Sequence, residues 1–226
     1  MIAISIAIIA VVTLILDDGD DLVGPELAET ELVDISLESQ RELAAEFLQD
    51  WKRFRTEEFL AESIMTRTRP DGERLEVRQI LAQRPGDRLL RGLSGIDGYL
   101  GGVAVFCTGT SATVEGDPTK ACRDLEGAPG IDEALQTELE TLAALVVGEV
   151  PVYRLLRTEE ACWELLLTTE TLDAPYGERT VMCFDPDTGV MRSSTTAFGN
   201  DLLEEVETVN VRLEVTDADL RAVLGV

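Results

Sequence analysis

The stretch FLAESIMTRTRPDGERLEVRQIL, residues 59–81, holds two runs with a side-chain period of two on either side of a Pro-Asp-Gly triplet at 70–72. A period of two predicts β-strands, and a three-residue loop with glycine in the left-handed position commonly closes a hairpin. This closure pairs Met65 with Val77 and collects the more apolar side chains on one face. The stretch therefore predicts an antiparallel hairpin with a defined register.

A helical period replaces the strand period before this hairpin and again later in the chain. Ser39 and Glu42 have the spacing of a capping box, so we expect an amphipathic helix over residues 37–55. A second amphipathic helix begins at residue 131, and Gly148 can end it in a left-handed C-cap. The apolar positions are Leu43, Phe47, Trp51 and Phe54 in the first helix, and Ile131, Leu135, Leu139, Leu142 and Val146 in the second.

The rest of the chain carries strand and turn signals. Glycines are spread through residues 86–102 without a helical period after them, so we expect turns and bends in a curved sheet. Thr216 caps a last short helix through Leu224. This order predicts an α+β fold: a large curved antiparallel sheet with helices packed on one face, preceded by an N-terminal membrane helix. The further strands are expected at 103–107, 150–157, 162–169, 179–184, 190–197 and 206–215.

The first sixteen residues, MIAISIAIIAVVTLIL, carry no charged side chain. As a helix they span roughly 24 Å, and local thinning adapts a hydrocarbon core of roughly 30 Å to that length. We expect residues 1–16 to be a transmembrane anchor, the acidic residues 17–36 a linker, and residues 37–226 the folded domain. A cleaved signal peptide and a buried strand or helix are the alternatives, and no nearby Lys or Arg sets the orientation.

Four cysteines form an even set without the C-x-x-C spacing of redox pairs and zinc ribbons. Three pairings are possible, and we favour Cys107 with Cys122 and Cys162 with Cys183, because each pair brackets a compact stretch. Disulfides persist outside the cytosol, so these residues favour an extracytoplasmic domain of a single-pass protein of the cell membrane. The alternative is a cytosolic protein with four free core thiols.

The charge balance narrows the classes of partner and chemistry. The net charge is -25, from 44 acidic and 19 basic residues, and this field opposes nucleic acid, so we expect no nucleic-acid partner. Histidine is absent, which excludes Ser-His-Asp and Cys-His catalysis and His-bearing zinc sites. Residues 61–100 hold 7 Arg against 6 acids, and these arginines either bind an anionic partner or neutralise acidic neighbours.

The turn FDPDTG, residues 184–189, matches the start of a calcium loop but lacks the terminal Glu, so we expect a tight turn and no metal site. With the anchor, the helix before the first hairpin and the long alternating strands, it resembles the LolA/LppX-like group of extracytoplasmic lipid and lipoprotein carriers. That resemblance covers residues 37–215 and implies a curved half-barrel whose concave face, closed by helices, accommodates acyl chains. The chain departs from lipidated members in lacking an N-terminal lipobox cysteine. An NTF2-like or cystatin-like cone is the alternative fold.

The leading functional hypothesis is a binding module for a lipid or another apolar ligand, with Met65, Leu75, Val77 and Leu81 as candidate lining. The alternative is a structural or protein-interaction domain of an envelope assembly. Acid pairs such as Glu204 and Glu205 stand in acidic stretches where carboxylates are solvated, so we expect no catalytic residue and no enzyme activity. We expect no cofactor, and we expect the membrane, an apolar ligand or an envelope protein as partner.

Overall fold

A computed structural model describes residues 37–92, 95–108, 122–168, 174–199 and 202–225. The expected anchor at 1–16 and the expected linker at 17–36 both precede these ranges, so both remain predictions. Within the described ranges, no helix has the length and apolar character needed to cross a membrane.

The described chain forms three helices and eleven strands. The helices are α1 (Leu37–Thr56), α2 (Ile131–Val147) and α3 (Asp217–Leu224). The strands are β1 (Phe59–Thr68), β2 (Arg74–Arg84), β3 (Asp87–Gly92), β4 (Gly95–Leu100), β5 (Val103–Thr108), β6 (Cys122–Asp124), β7 (Tyr153–Arg157), β8 (Trp163–Leu167), β9 (Arg179–Phe184), β10 (Met191–Phe198) and β11 (Leu202–Arg212).

One antiparallel sheet contains all of these strands, in the order β6-β5-β4-β3-β2-β1-β11-β10-β9-β8-β7. Two meanders, β1 to β6 and β7 to β11, therefore meet along β1 and β11. The predicted α+β class with a large antiparallel sheet is confirmed. The glycine-rich stretch 86–102, where we expected turns and bends, contains the strands β3 and β4.

The register of the first hairpin is as predicted. Met65 pairs with Val77, and the turn is closed by the Arg69 backbone N–H, which donates to the Glu73 carbonyl at 2.9 Å. Gly72 in this turn has a φ of 82°, the left-handed conformation that such a loop requires. Local periodicity and turn chemistry together therefore determine this part of the sheet.

The main core lies between the sheet and the apolar stripe of α1. Phe47, Trp51 and Phe54 are at most 4% exposed, and their rings contact one another or aromatic residues of the strands. Helix α2 adds Leu142 and Val146. The aromatic stripe of the first helix is therefore core. The strand residues in this cluster are Phe59, Ala61, Tyr153, Leu155, Trp163, Leu165, Met182 and Phe184.

Helix α3 packs on the opposite face of the sheet. Phe59 and Ala61 belong to the main core whereas Leu60 packs against a second cluster, and successive side chains of a strand point to opposite faces. This second cluster contains Leu220 and Val223 of α3. The prediction that the helices pack on one face is therefore confirmed for α1 and α2 and wrong for α3. We call the two sides the α1 face and the α3 face.

Two contacts explain the position of α3. The Arg84 guanidinium lies 2.7 Å from the Asp217 carboxylate, and Arg212 forms an ion pair with Asp219. Thr216 caps the helix as predicted, in a capping box with Asp219. Because Arg84 and Arg212 point to the α3 face, they hold the start of α3 against that side.

The end of α2 differs from the prediction. Gly148 has a φ of -62° and a ψ of 178°, so it is extended, and the expected left-handed C-cap is wrong. A Cβ at this position would lie 2.4 Å from the Ala144 carbonyl oxygen. Glycine is needed here because the backbone passes too close to the helix end for a side chain, not because of a left-handed turn.

Both disulfides form as favoured from the sequence. Cys107 pairs with Cys122 and Cys162 pairs with Cys183, and the described residues contain no free cysteine. The first bond ties the short strand β6 to β5, and the second joins the start of β8 to β9. Each closes a loop worth about 3 kcal/mol of stability in the chain-entropy account. This cross-linking favours an oxidising compartment.

Candidate functional site

The four candidate lining residues lie on the α1 face. Met65 pairs with Val77 and Ala61 pairs with Leu81, so these side chains share the face to which α1 contributes its apolar stripe. Leu75 pairs with Arg67 and points to the same side. The structure therefore brings the predicted residues together on two neighbouring strands.

Their environments differ along the strands. Leu81 packs against the main core, whereas Met65, although only 7% exposed, belongs to neither core cluster. Val77 is half-buried and Leu75 is 40% exposed. Along β2, this face is therefore half-buried at Leu81 and Val77 and exposed at Leu75, which lies nearest the turn.

An apolar patch continues from this hairpin into β11. Val206 pairs with Met65 on the other side of β1 and is half-buried. We call Met65, Leu75, Val77 and Val206 the distal floor. These residues lie side by side on three adjacent strands, beyond the point where residues of the main core occupy β1 and β2. The distal floor has the chemistry to contact an apolar ligand.

Polar side chains border the distal floor at both ends. Arg67 donates from Nε and Nη2 to the Glu204 carboxylate at 3.1 and 2.5 Å, and both side chains are at most 20% exposed. At the other end the hydroxyls of Ser63 and Thr208 lie 3.1 Å apart. The floor is therefore a bounded apolar surface rather than an extension of the core.

Most hairpin arginines neutralise acidic neighbours. Arg69 lies 2.6 Å from Glu73, and Arg78 forms an ion pair with Glu62. With Arg67 and Arg84 already paired, these contacts support the neutralising interpretation of the charge pattern over an anionic partner.

A buried polar cluster, which the sequence did not predict, lies where β2 and β3 meet the end of α1. Gln83 is 2% exposed and donates from Nε2 to the carbonyls of Phe54 and Glu57, at 3.0 and 2.7 Å. Arg88 is 3% exposed and donates from Nε to the Gln83 Oε1 at 3.0 Å. The last carbonyls of a helix lack partners within it, so Gln83 completes the hydrogen bonding of α1.

Burial perturbs the charges of this cluster. It lowers the pKa of Arg88 to about 9, with the nearby charge of Arg55 acting in the same direction. Burial also raises the pKa of Asp97, an effect that Arg88 opposes. The Tyr99 phenol, which pairs across the strands with Arg88, likewise has its pKa raised by burial. The opposite charges of Arg88 and Asp97 attract each other, but for Asp97 the cost of burial is the larger effect.

Glu138 of α2 joins the helices to this cluster. Its carboxylate accepts from Trp51 Nε1 at 2.8 Å and from Arg55 Nη2 at 2.7 Å. Burial, with a contribution from Glu138, raises the pKa of Tyr176 well above its usual range. Glu138 therefore holds α2 against α1.

The turn at 184–189 uses its carboxylate internally. Asp185 Oδ1 accepts from the backbone N–H groups of Asp187 and Thr188, at 3.1 and 2.9 Å, and from the Thr188 hydroxyl at 3.0 Å. These bonds, those from Thr188 first, lower the pKa of Asp185. The carboxylate thus builds a tight turn, as predicted. No group of three or more His, Cys, Asp or Glu side chains able to hold a metal occurs among the described residues.

Comparison with known proteins gives similarities of structure alone. No family model and no curated protein matches the sequence. The Pseudomonas aeruginosa MucA/MucB complex matches at 12% identity and a TM-score of 0.45, over 78% of this chain and 60% of that chain. A LolA superfamily protein from Nitrosomonas europaea matches at 9% identity and 0.33, over 82% and 97%. A putative outer membrane lipoprotein-sorting protein domain from Vibrio parahaemolyticus matches at 13% and 0.30, over 84% and 99%.

All three matches have TM-scores of 0.45 or less, so they assign neither a family nor a function to this chain. The chain spans 60% of the matched chain in the MucA/MucB complex. Any binding function must therefore be argued from the residues of this chain.

Proposed function

We propose that residues 37–226 are a non-catalytic extracytoplasmic domain that binds an acyl chain or another apolar ligand on the distal floor, with residues 1–16 as its membrane anchor. One observation carries the proposal. Met65, Val77 and Val206 are adjacent on the α1 face, yet none of them belongs to either core cluster. An apolar patch that a fold does not use for its own core is a typical ligand-binding surface.

The border of the patch supports an amphiphilic ligand. An acyl chain would lie on the apolar side chains, and the Arg67 and Glu204 pair would stand beside its polar end. The two disulfides support the compartment in which such a ligand would be met. The alternative, a protein-interaction domain of an envelope assembly, is favoured by the exposed apolar end of β11.

The test uses 11-(dansylamino)undecanoic acid as the probe and the full chain as the protein. We expect saturable binding and at least tenfold weaker binding by Val77→Asp and Val206→Asp, because each introduces a charge into the apolar patch. Val150→Asp is the control, since Val150 is 75% exposed and lies outside this surface.

Lipid extraction and native mass spectrometry of the purified chain provide a second measurement. Absence of both saturable probe binding and co-purified lipid would contradict the proposal. Equal weakening by all three variants would place the probe elsewhere and contradict it as well.

A further inference from the structure

The end of β11 exposes an unusual amount of apolar surface. Residues 209–213, of sequence VNVRL, are exposed, and we call them the VNVRL segment. Val209, Val211 and Leu213 are 57%, 40% and 56% exposed. They account for three of the seven large exposed hydrophobic side chains among the described residues. Their alternation with Asn210 and Arg212 is that of a strand.

Among the described strands, the same segment has a partner on one backbone side only. Strand β1 pairs with β11 as far as Arg212, but the pairing of β10 with β11 stops at Glu207. Beyond Glu207, none of the described strands pairs with the β10 side of β11. The unpaired side of such a strand presents N–H and C=O groups that can pair with another chain.

The preceding turn explains why β10 leaves β11. Arg53 of α1 donates to the carbonyls of Pro186 and Asp187 at 2.9 and 3.1 Å, which holds the turn before β10 against α1. A register shift between Met191 and Ser193 accompanies this divergence. The open edge is thus built into the fold by contacts with α1.

At the outer edge strand β7, a side chain occupies backbone groups that would otherwise be open to pairing. At β7, the Gln40 side chain of α1 donates to the Leu155 carbonyl at 3.1 Å and accepts from the Leu155 N–H at 3.3 Å. These bonds occupy backbone groups of the edge strand and oppose pairing with another chain. In the VNVRL segment no such side-chain hydrogen bonds to the backbone are found among the described residues, and apolar side chains are exposed instead.

We propose that the VNVRL segment binds an extended peptide of a partner protein, in which apolar residues alternate and basic residues flank them. The peptide would add a strand to the β10 side of β11 and cover Val211 and Leu213. Charge decides between this partner and a second copy. Glu207 and Glu214 flank the segment, and the chain carries a net charge of -25, so a second copy is repelled and a basic peptide is attracted.

A bulge limits the length of the pairing. Glu62 pairs with Asn210 and Ser63 with Thr208, so Val209 is the extra residue of β11. The added strand therefore pairs with residues 210–213. So short a pairing gives a weak, reversible complex.

The test measures binding of a fluorescein-labelled peptide, KVTVKVK, to the full chain. We expect saturable binding, with amide chemical shift changes at residues 210–213, and at least tenfold weaker binding by V211K/L213K. The matched control V103K/V150K adds the same charge at two other exposed valines, 49% and 75% exposed, and should bind as the unmodified chain does.

Three outcomes would overturn the proposal. They are the absence of saturable binding, equal weakening by both double variants, and shift changes confined to other residues. Sedimentation velocity tests whether a second copy of the chain occupies the edge instead. A dimer of the unmodified chain that V211K/L213K abolishes would assign the edge to that second copy. Because the distal-floor variants leave this edge unchanged, the peptide test is independent of acyl-chain binding.

Discussion

Replacement of Gln83 by Met should destabilise the domain strongly. Methionine keeps the length of the side chain but removes the donor to the carbonyls of Phe54 and Glu57 and the acceptor for Arg88. Each buried polar group left without a partner costs about 1–3 kcal/mol, so three such groups reduce the free energy of unfolding by roughly 3–9 kcal/mol. A domain is typically stable by about 5–15 kcal/mol in total.

Guanidinium unfolding of the oxidised protein measures this loss, with the fluorescence of the buried Trp51 and Trp163 as the signal. Gln79→Met is the matched control. Gln79 points to the same face of the same strand, but its side chain is half-buried and its Nε2 contacts a weak sulfur acceptor, Met65 Sδ, at 3.4 Å. We expect a change below about 1 kcal/mol for this control.

A double-mutant cycle separates hydrogen bonding from packing. Arg88→Met in the Gln83→Met background removes the buried guanidinium that lost its acceptor, so the double variant should be more stable than the sum of the single changes implies, by about 1–3 kcal/mol. A Gln83→Met variant within about 1 kcal/mol of the unmodified protein, or strict additivity in the cycle, would refute the role assigned to Gln83.

Three further changes test other parts of the fold. Burial raises the pKa of Asp97, so the ionised carboxylate disfavours folding above that pKa. Asp97→Asn should therefore raise the unfolding free energy at pH 7.5, and this gain should shrink as the pH falls through the raised pKa. A difference that does not depend on pH would count against this explanation. Gly98→Ala would place a Cβ 1.8 Å from the Arg88 carbonyl oxygen, at a residue whose φ is 145°. Thermal unfolding should therefore show a loss of more than about 3 kcal/mol of unfolding free energy. The control Gly92→Ala, where the atom nearest the new Cβ is 3.9 Å away, should lose about 1 kcal/mol or less. Cys162→Ser with Cys183→Ser should cost about 3 kcal/mol in denaturant unfolding, and four free thiols in mass spectrometry of the unmodified, non-reduced protein would contradict both disulfides.

Much of the local structure was predictable. The period of two, the Pro-Asp-Gly turn and the pairing of Met65 with Val77 depend on residues close in sequence, and so do the stripe of α1 and the cap at Thr216. The sequence left two explanations of the arginines in residues 61–100 open, and the hairpin register supports the neutralising one, because it places Arg69 beside Glu73 and Arg78 beside Glu62. The candidate lining followed for the same reason, since the parity of a strand places its alternate residues on one face.

The buried polar cluster left no such signal. Arg88 stands in β3 beside leucines, and in a sequence an arginine at this position is indistinguishable from one facing solvent. Its burial depends on the end of α1, roughly thirty residues earlier. Gln83 and Arg88 are cross-strand neighbours in the β2–β3 hairpin. Only the position of the end of α1, whose Phe54 and Glu57 carbonyls accept from Gln83, shows that this pair is buried.

The sequence by itself determined the elements whose signals are local: the first hairpin and its register, the amphipathic helices, the last helix cap and the set of four cysteines. Tertiary structure alone decided that α3 packs on the opposite face from α1, that β1 pairs with β11, and that β10 leaves β11 at Glu207. The physical reason is that periodicity reports which residues share a face, whereas the choice of face and of neighbouring strand depends on ion pairs, bulges and helix contacts between residues far apart in the chain.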